Sequence, residues 1–477
     1  RLPSRGVKAA CAAIKPPRAR QLAILPQPAL LSKTVLKREV ELQRLVQRAE
    51  EAVQRTYEAV STPPHFGSMR KPRDVLSAYA ERAASLRPAD LVAAFYAVGD
   101  HARLPPTVRT STLHADERLL ALKAQLCDCM AKLTSRELTN VLQAAAFMYP
   151  RVKHDDAQLV RLVCTHILRK VAQLSERDLA VCIYALGRLE WREDSVLLEA
   201  LFARTAVEAE RLLSIDLANV TSGVAGLQVV PTHLLRRVSD VSFRKMDDFD
   251  ARGLSTLLSS LSSAGWHDAR LLHRAAQRLP LLLTDMNPRA LSETAAAYSA
   301  SRTWLAPTLA SLSSHSAMRA AYFSGAQAAA MLGSLAQSRW DEHVASLALI
   351  NRLEQQAPWL NLSELAVTLR ALSRLRLGED TTIVRTLLRA VQHMRFPPAT
   401  LSMDNAHEAH SLVLLAMLCC ALRHLEAAPP HQLRSYILEL QLPCESLVME
   451  RSQRRVRAQL ADAQRSWGGR RHTSLES

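Results

Sequence analysis

Apolar and small residues recur along this chain with a period of 37 residues. One register position, here called the anchor, is apolar in five successive segments: Leu217, Leu254, Leu291, Ala328 and Leu365. A small residue follows each anchor by six positions: Gly223, Ser260, Ala297, Ser334 and Ala371. Looser spacing adds four anchor and small-residue pairs: Leu91 and Ala97, Leu138 and Ala144, Leu179 and Ala185, Leu415 and Ala421. A fixed period of this length predicts nine stacked helix-pair repeats, with close helix contacts at the small residues.

The start of a helix is also marked in each repeat. Five residues before the anchor stands an apolar residue, here called the staple: Leu86, Leu133, Leu174, Leu212, Phe249, Met286, Phe323 and Leu360, with His410 in the ninth repeat. A capping side chain follows in six repeats, at Thr134, Ser175, Asp250, Asn287, Ser324 and Asn361, and Ser214 is expected to cap one position late. Apolar residues then recur at three- and four-residue steps, which predicts one helix per repeat.

A second helix is predicted in the remainder of each repeat, for example over residues 195–212, 233–245, 269–283, 343–357 and 381–394. Tryptophans mark the turn between the two helices at Trp191, Trp266, Trp304 and Trp340. Packing in the groove between helices is the expected role of these rings, and stacking on nucleic-acid bases is the alternative. Glycine is scarce and no period-two strand occurs, so the predicted fold is an all-α, right-handed α-solenoid.

Both ends of the chain differ from the repeats. We expect a basic arm or transit-peptide remnant over residues 1–31, a long helix over 32–62, the solenoid over 70–425 and a basic helical tail over 426–477. Residues 103–116 and 395–405 are insertions that lengthen the period. The candidate RNA-binding residues of the two ends are Arg5, Lys8, Lys15, Arg18, Arg20, Arg451, Arg454, Arg455, Arg457, Arg470 and Arg471.

The net charge of +16 indicates a polyanionic partner, either nucleic acid or an anionic membrane. Within the repeats, four arginines stand two positions before the anchor: Arg136, Arg177, Arg252 and Arg289. Stacking would align them beside helix N-termini, where they could follow an RNA backbone. The alternative is a solvated face on which they pair with neighbours such as Glu137 or Asp178.

No local motif for catalysis or cofactor binding is present. The sequence has no Walker-type phosphate loop, no GxGxxG and no GxSxG. His407 and His410 lack the spacing of zinc ligands on one helix face, and the cysteines form neither CxxC pairs nor a disulfide framework. The longest apolar run, residues 412–422, is about half of the ~20 residues that span a bilayer. We therefore expect a non-enzyme without metal, cofactor, small-molecule substrate or membrane insertion, and with mostly buried thiols.

Two pairs of segments, residues 174–180 with 184–186 and residues 362–366 with 371–372, resemble heptatricopeptide and octotricopeptide repeats. These helix-pair repeats occur in organellar RNA-binding proteins, often before a RAP domain, and are common in apicomplexan parasites. The resemblance covers residues 86–425 and implies single-stranded RNA as the ligand and a mitochondrial location, with the plastid as the alternative. No strand-rich module of the RAP kind follows Leu425, which favours a purely binding role.

Three functions remain open from the sequence. The first is a structural subunit of an organellar ribosome, as in apicomplexan mitochondria, that clasps ribosomal RNA and contacts neighbouring subunits. The second is a free-standing organellar factor for RNA stability, processing or translation. The third is a protein-binding scaffold of the HEAT or armadillo kind, in which the charge serves solubility.

Overall fold

The computed structural model describes residues 65–69, 71–102, 113, 115–148, 157–303, 305–340, 343–375, 381–394, 396, 406–425, 427–440 and 451–468. The chain divides into two units, Arg1–Pro64 and His65–Ser477, and every described residue belongs to the second unit. The predicted arm over 1–31 and helix over 32–62 therefore lie outside the described residues, together with Arg5, Lys8, Lys15, Arg18 and Arg20.

The described residues form α-helices joined by short turns and contain no β-strand. In chain order the helices are α1 (Pro72–Arg82), α2 (Pro88–Ala102), α3 (Glu117–Cys129), α4 (Ser135–Met148), α5 (Ala157–Lys170), α6 (Glu176–Leu189), α7 (Ser195–Glu208), α8 (Ser214–Leu227), α9 (Thr232–Arg244), α10 (Ala251–Ser263), α11 (Ala269–Arg278), α12 (Pro288–Ala300), α13 (Ala306–Met318), α14 (Gly325–Gln337), α15 (His343–Gln356), α16 (Leu362–Leu375), α17 (Thr381–Gln392), α18 (Ala406–His424), α19 (His431–Glu439) and α20 (Arg451–Gly468).

The helices alternate between two layers. Even-numbered helices, here called A helices, pack on the A helices before and after them, and odd-numbered B helices do the same less extensively. All nine anchors are buried in A helices, eight of them at the fourth residue of the helix. The predicted all-α solenoid is thus confirmed. The alternation continues after Leu425, because α19 packs on α17 and α20 packs on α18.

Capping follows the predicted pattern at six of seven positions. Thr134, Ser175, Asp250, Asn287, Ser324 and Asn361 each accept a hydrogen bond from the backbone N–H three residues later. The seventh, Ser214, was predicted wrongly. Leu213 occupies the N-cap of α8, and the Ser214 hydroxyl donates instead to the Asp248 carbonyl, in the turn after α9, at 3.1 Å.

Small residues six positions after the anchor allow neighbouring A helices to come close together. All nine of them are buried or nearly so. The closest approach joins α6 and α8, where a Cβ built on Gly223 would lie 2.3 Å from the Ile183 carbonyl oxygen. A Cβ on Gly187 would lie equally close, at 2.3 Å, to the Gly223 oxygen. Both neighbours are backbone atoms, so only glycine fits this contact.

The tryptophans close the turns after A helices. Trp191 is buried, and Trp266 and Trp340 are half-buried. The backbone N–H of each tryptophan donates to the carbonyl five residues earlier, and the residue before each tryptophan has left-handed backbone angles: Glu190, Gly265 and Arg339. This arrangement supports the packing role, because the rings pack in the turn and none of them is fully exposed to solvent. Trp304 lies outside the described residues.

Basic side chains near the ends of B helices connect each B helix to the turn after the preceding one. Lys170, Lys245, Arg319 and Arg352 each donate to the backbone carbonyl of the staple that follows the preceding B helix: Leu133, Leu212, Met286 and Phe323, respectively. Lys245 also donates to the Glu210 carbonyl at 2.6 Å. Hydrogen bonds from charged donors are the stronger kind, so these four cations stabilise the stack.

Candidate nucleic-acid interface

One face of the A helices is rich in arginine and poor in carboxylates. It comprises four positions in each A helix from α4 to α18: the residue two before the anchor and the residues two, five and nine after it. We call this surface the A face. All of these positions are described, and every one except Phe147 is at least partly exposed. They hold a single carboxylate, Glu293, and seven arginines: Arg136, Arg177, Arg188, Arg252, Arg289, Arg370 and Arg374. Small and uncharged polar residues fill most of the middle of the face, among them Asn219, Ser222, Thr256, Ser259 and Ser263.

The four predicted arginines of the repeats all lie exposed on the A face, in the first turns of their helices. Arg289 forms an ion pair with Glu293, with 2.7 Å between Nε and Oε1. Arg136 and Arg252 have no ion-pair partner among the described residues. Arg177 lies near Asp216, whose pKa is raised by burial and lowered to a smaller extent by the Leu213 backbone and by Arg177.

The neighbouring acids have another role. Glu137 Oε2 accepts from the Thr134 N–H at 2.7 Å, and Asp178 Oδ2 accepts from the Ser175 hydroxyl at 2.6 Å. These carboxylates complete the caps of α4 and α6 and are not paired with the adjacent arginines. The alternative of local pairing therefore applies to Arg289 and not to the other three.

Arg188 forms a cluster with two aromatic rings on the same face. Its guanidinium carbon lies 5.6 Å from the Phe147 ring centroid and 6.0 Å from that of Tyr184. The Arg188 Nε also donates to the Ala146 carbonyl at 3.3 Å, which holds the guanidinium plane against α4. A planar cation beside aromatic rings is suited to stacking on a nucleic-acid base.

Three arginines of the face were not predicted from the sequence: Arg188, Arg370 and Arg374. They stand five or nine positions after the anchor, whereas the predicted arginines stand two positions before it. Steps of seven and four residues return to the same side of a helix, so the helical period was the signal that could have found them.

Arginines of the B helices are more often paired than those of the A face. Seven are paired with carboxylates: Arg118 with Asp116, Arg161 with Glu193, Arg204 with Glu208, Arg237 and Arg244 with Glu210, Arg270 with Asp240 and Arg274 with Asp247. Exposed pairs of this kind contribute little to stability. Other arginines of the B helices, among them Arg169, Arg236, Arg385 and Arg389, have no ion pair with a described carboxylate. The A face is therefore distinguished by its scarcity of carboxylates, because six of its seven arginines are unpaired in this sense.

The ends of the chain hold twelve of the sixteen excess positive charges, in residues 1–64 and 451–477. Of the predicted tail residues, Arg454 and Arg455 are exposed and Arg457 is partly exposed on α20. Because α20 packs on α18, these three arginines belong to the helical stack. Arg470, Arg471 and the side chain of Arg451 lie outside the described residues.

Other chemistry is sparse in the part of the chain that the structure describes. It contains no group of His, Cys, Asp and Glu side chains arranged to hold a metal. Burial raises the pKa of the Cys182 thiol to about 12 and also raises the pKa of Cys164 and Cys419, so these thiols are uncharged core residues. No described helix combines the length and the apolar character needed to cross a membrane.

Comparison with known families gives one match. Residues 151–381, slightly under half of the chain, match the family model of RESC6, the RNA-editing substrate-binding complex 6 protein. No curated protein matches the chain. The matched segment contains six of the seven arginines of the A face, all except Arg136. The heptatricopeptide and octotricopeptide repeats remain a resemblance in pattern, since the family that matches is a different one. Over residues 151–381 the chain is similar to a family named for binding the substrates of RNA editing.

Proposed function

We propose that the chain is a non-catalytic RNA-binding subunit of an organellar ribonucleoprotein complex. The observation that carries this proposal is the A face, where seven arginines stand against one carboxylate and six of the seven have no ion pair with a described residue. The match to RESC6 supports RNA as the polyanion, because that family is named for binding RNA-editing substrates.

The A face suits a single RNA strand. Arginine guanidinium groups bind phosphate oxygens with two hydrogen bonds, and the first turns beside Arg136, Arg177 and Arg252 add free backbone N–H groups. Side-chain hydroxyls and amides in α8 and α10 can bond to riboses and base edges, and Arg188 offers a plane for a base. Binding along such a face needs no base-paired partner.

A separate edge fits protein subunits. Four large apolar side chains stand 68 to 79% exposed where B helices end and A helices begin: Leu281, Met318, Tyr322 and Trp359. Tyr322 and Trp359 end equivalent turns of consecutive repeats, and both carry an aromatic anchor of the kind that dominates protein interfaces. This edge supports membership of a complex over a free-standing factor.

Two complexes are candidates. The family match favours a complex that binds RNA-editing substrates. The mitochondrial ribosome is the second candidate, favoured by the basic character of residues 1–64 and 451–477, which suits extensions that enter ribosomal RNA. Mitochondria are the proposed location in both cases, with the plastid as the alternative.

Sedimentation of the tagged full chain from an organellar lysate, with and without RNase, tests this proposal. We expect heavy fractions that become light after RNase and that contain substrates of RNA editing apart from ribosomal subunits. Co-sedimentation with one ribosomal subunit at moderate salt would select the ribosome. Light fractions under both conditions would contradict the proposal, and heavy fractions that resist RNase and yield no RNA crosslink would select the protein scaffold.

A further inference from the structure

A groove opens at the C-terminal end of the A face, between α16, α18 and α20. Its volume is about 680 Å³, within the usual range for ligand pockets. We name it the C-terminal basin. Its arginines are Arg370 and Arg374 of α16 and Arg455 of α20. Because α20 supplies the third arginine, the basin depends on the helix that continues the stack after Leu425.

The positive charge of the basin is not balanced by the described residues around it. None of its described lining residues is acidic, and none of the three arginines has an ion pair with a described carboxylate. The nearby carboxylate of Asp462, whose charge contributes to raising the pKa of Cys420 after the larger effect of burial, is already paired. Arg423 forms an ion pair with it, and Arg465 Nη2 lies 3.6 Å from its Oδ1. Burial, followed by repulsion from Arg370 and Arg339, lowers the pKa of Arg374. Like charges brought together in this way favour a bound anion.

Apolar groups complete the basin. Met417 and Ala421 of α18 and Val456 of α20 line it, and Arg370 Nη1 contacts the Met417 sulfur at 3.0 Å. Ser373 and Gln459 add hydrogen-bonding groups. A ligand that satisfies this lining has an anionic part and a flat, largely apolar part with polar edges, which is the chemistry of a nucleotide.

We propose that the C-terminal basin binds a nucleotide of the RNA strand that lies on the A face. Arg370, Arg374 and Arg455 hold its phosphate, and the base packs on Met417 and Val456. This inference rests on the proposed function, since it concerns the same ligand and the same face. RNA fits better than an acidic peptide because the basin shares Arg370, Arg374 and Met417 with the A face and has apolar side chains beside its cations.

Cys420 provides a direct probe, because it lines the basin and is partly exposed. The full chain would be alkylated with iodoacetamide, with and without a saturating single-stranded RNA, and the rate at each cysteine followed by mass spectrometry. We expect RNA to slow alkylation of Cys420 at least about five-fold, as a bound base excludes the reagent from the groove. Cys127 and Cys129 of α3 are equally half-buried but distant in the chain, and their rates should not change.

Variants separate this inference from the proposed function. The triple variant R370Q/R374Q/R455Q should bind RNA about 30-fold more weakly and lose the protection of Cys420, as three charged contacts to phosphate are removed. The triple variant R237Q/R270Q/R274Q removes the same charge from the B side. It should retain the RNA affinity and the protection of Cys420. Gln459→Glu, which preserves size, should weaken binding about five-fold by repelling phosphate.

Each outcome has one meaning. Wild-type chain that fails to bind RNA would overturn both proposals. If the wild-type chain binds RNA and the alkylation rate of Cys420 does not change, the basin proposal alone is overturned. The same follows if R370Q/R374Q/R455Q binds RNA as tightly as the wild type does. If poly-glutamate protects Cys420 and RNA does not, the groove binds an acidic protein and the basin proposal is likewise overturned.

Discussion

Replacement of Gly223 by alanine should divide the thermal unfolding of the solenoid into two transitions. The added Cβ would lie 2.3 Å from the Ile183 carbonyl oxygen and 2.5 Å from its carbon, so α6 and α8 would have to separate. Overpacking against rigid backbone costs about 3 kcal/mol. In a stack of repeats, stability is passed between nearest neighbours, and a weakened contact allows the two sides to unfold independently. Differential scanning calorimetry would measure the transitions.

Gly333→Ala is the matched control. The Cβ of this residue would meet one methyl group of the partly exposed Val367 side chain, at 2.8 Å, and no backbone atom, so a small shift of that side chain relieves the contact. Alanine is favoured over glycine in a helix by roughly 0.5–1 kcal/mol, so we expect a transition close to that of the wild type. A single unchanged transition in Gly223→Ala would show that the α6–α8 contact does not limit the stack.

Removal of three arginines from the A face should weaken RNA binding and make it less sensitive to salt. In R136A/R177A/R252A the slope of log affinity against log salt should fall by about two, at about 0.7 per phosphate contact with a single strand. The affinity should fall by about 30-fold at low salt, where these contacts are least screened. Fluorescence anisotropy with a labelled oligonucleotide over a salt series measures both quantities.

Two controls sharpen this test. R237A/R270A/R274A removes the same charge from paired arginines of the B side and should leave the slope near that of the wild type. Arg289→Ala should have a smaller effect than Arg252→Ala, because Glu293 already compensates Arg289. Equal slopes in the A-side and B-side triple variants would mean that net charge, and not the A face, determines binding.

Features that depend on neighbours along the chain were predictable from the sequence. The anchors, the six caps and the small-residue column follow from the helical period and from the chemistry of a helix N-terminus, and the structure has them where the pattern places them. The small residue at Gly223 even indicated a close helix contact, although its depth depends on the approach of the Ile183 backbone.

Features that depend on contacts between helices distant in the chain were not predictable. Ser214 was assigned to a cap, but its acceptor is the Asp248 carbonyl in the turn after α9. Nothing in the sequence distinguishes Lys245 from a surface cation, yet it binds the Leu212 and Glu210 carbonyls. The C-terminal basin combines Arg370 of a repeat with Arg455 of the predicted tail, and only the packing of α20 on α18 brings them to one groove.

The central claim is that the A face holds RNA. Ultraviolet crosslinking of the full chain to a single-stranded RNA containing 4-thiouridine, followed by mapping of the modified peptides, tests it most directly. We expect crosslinks in the A helices from α4 to α18, including the peptides that contain Tyr184 and Met417, and few in the B helices. Crosslinks that fall mainly on the B helices, or on the edge that contains Tyr322 and Trp359, would contradict the claim.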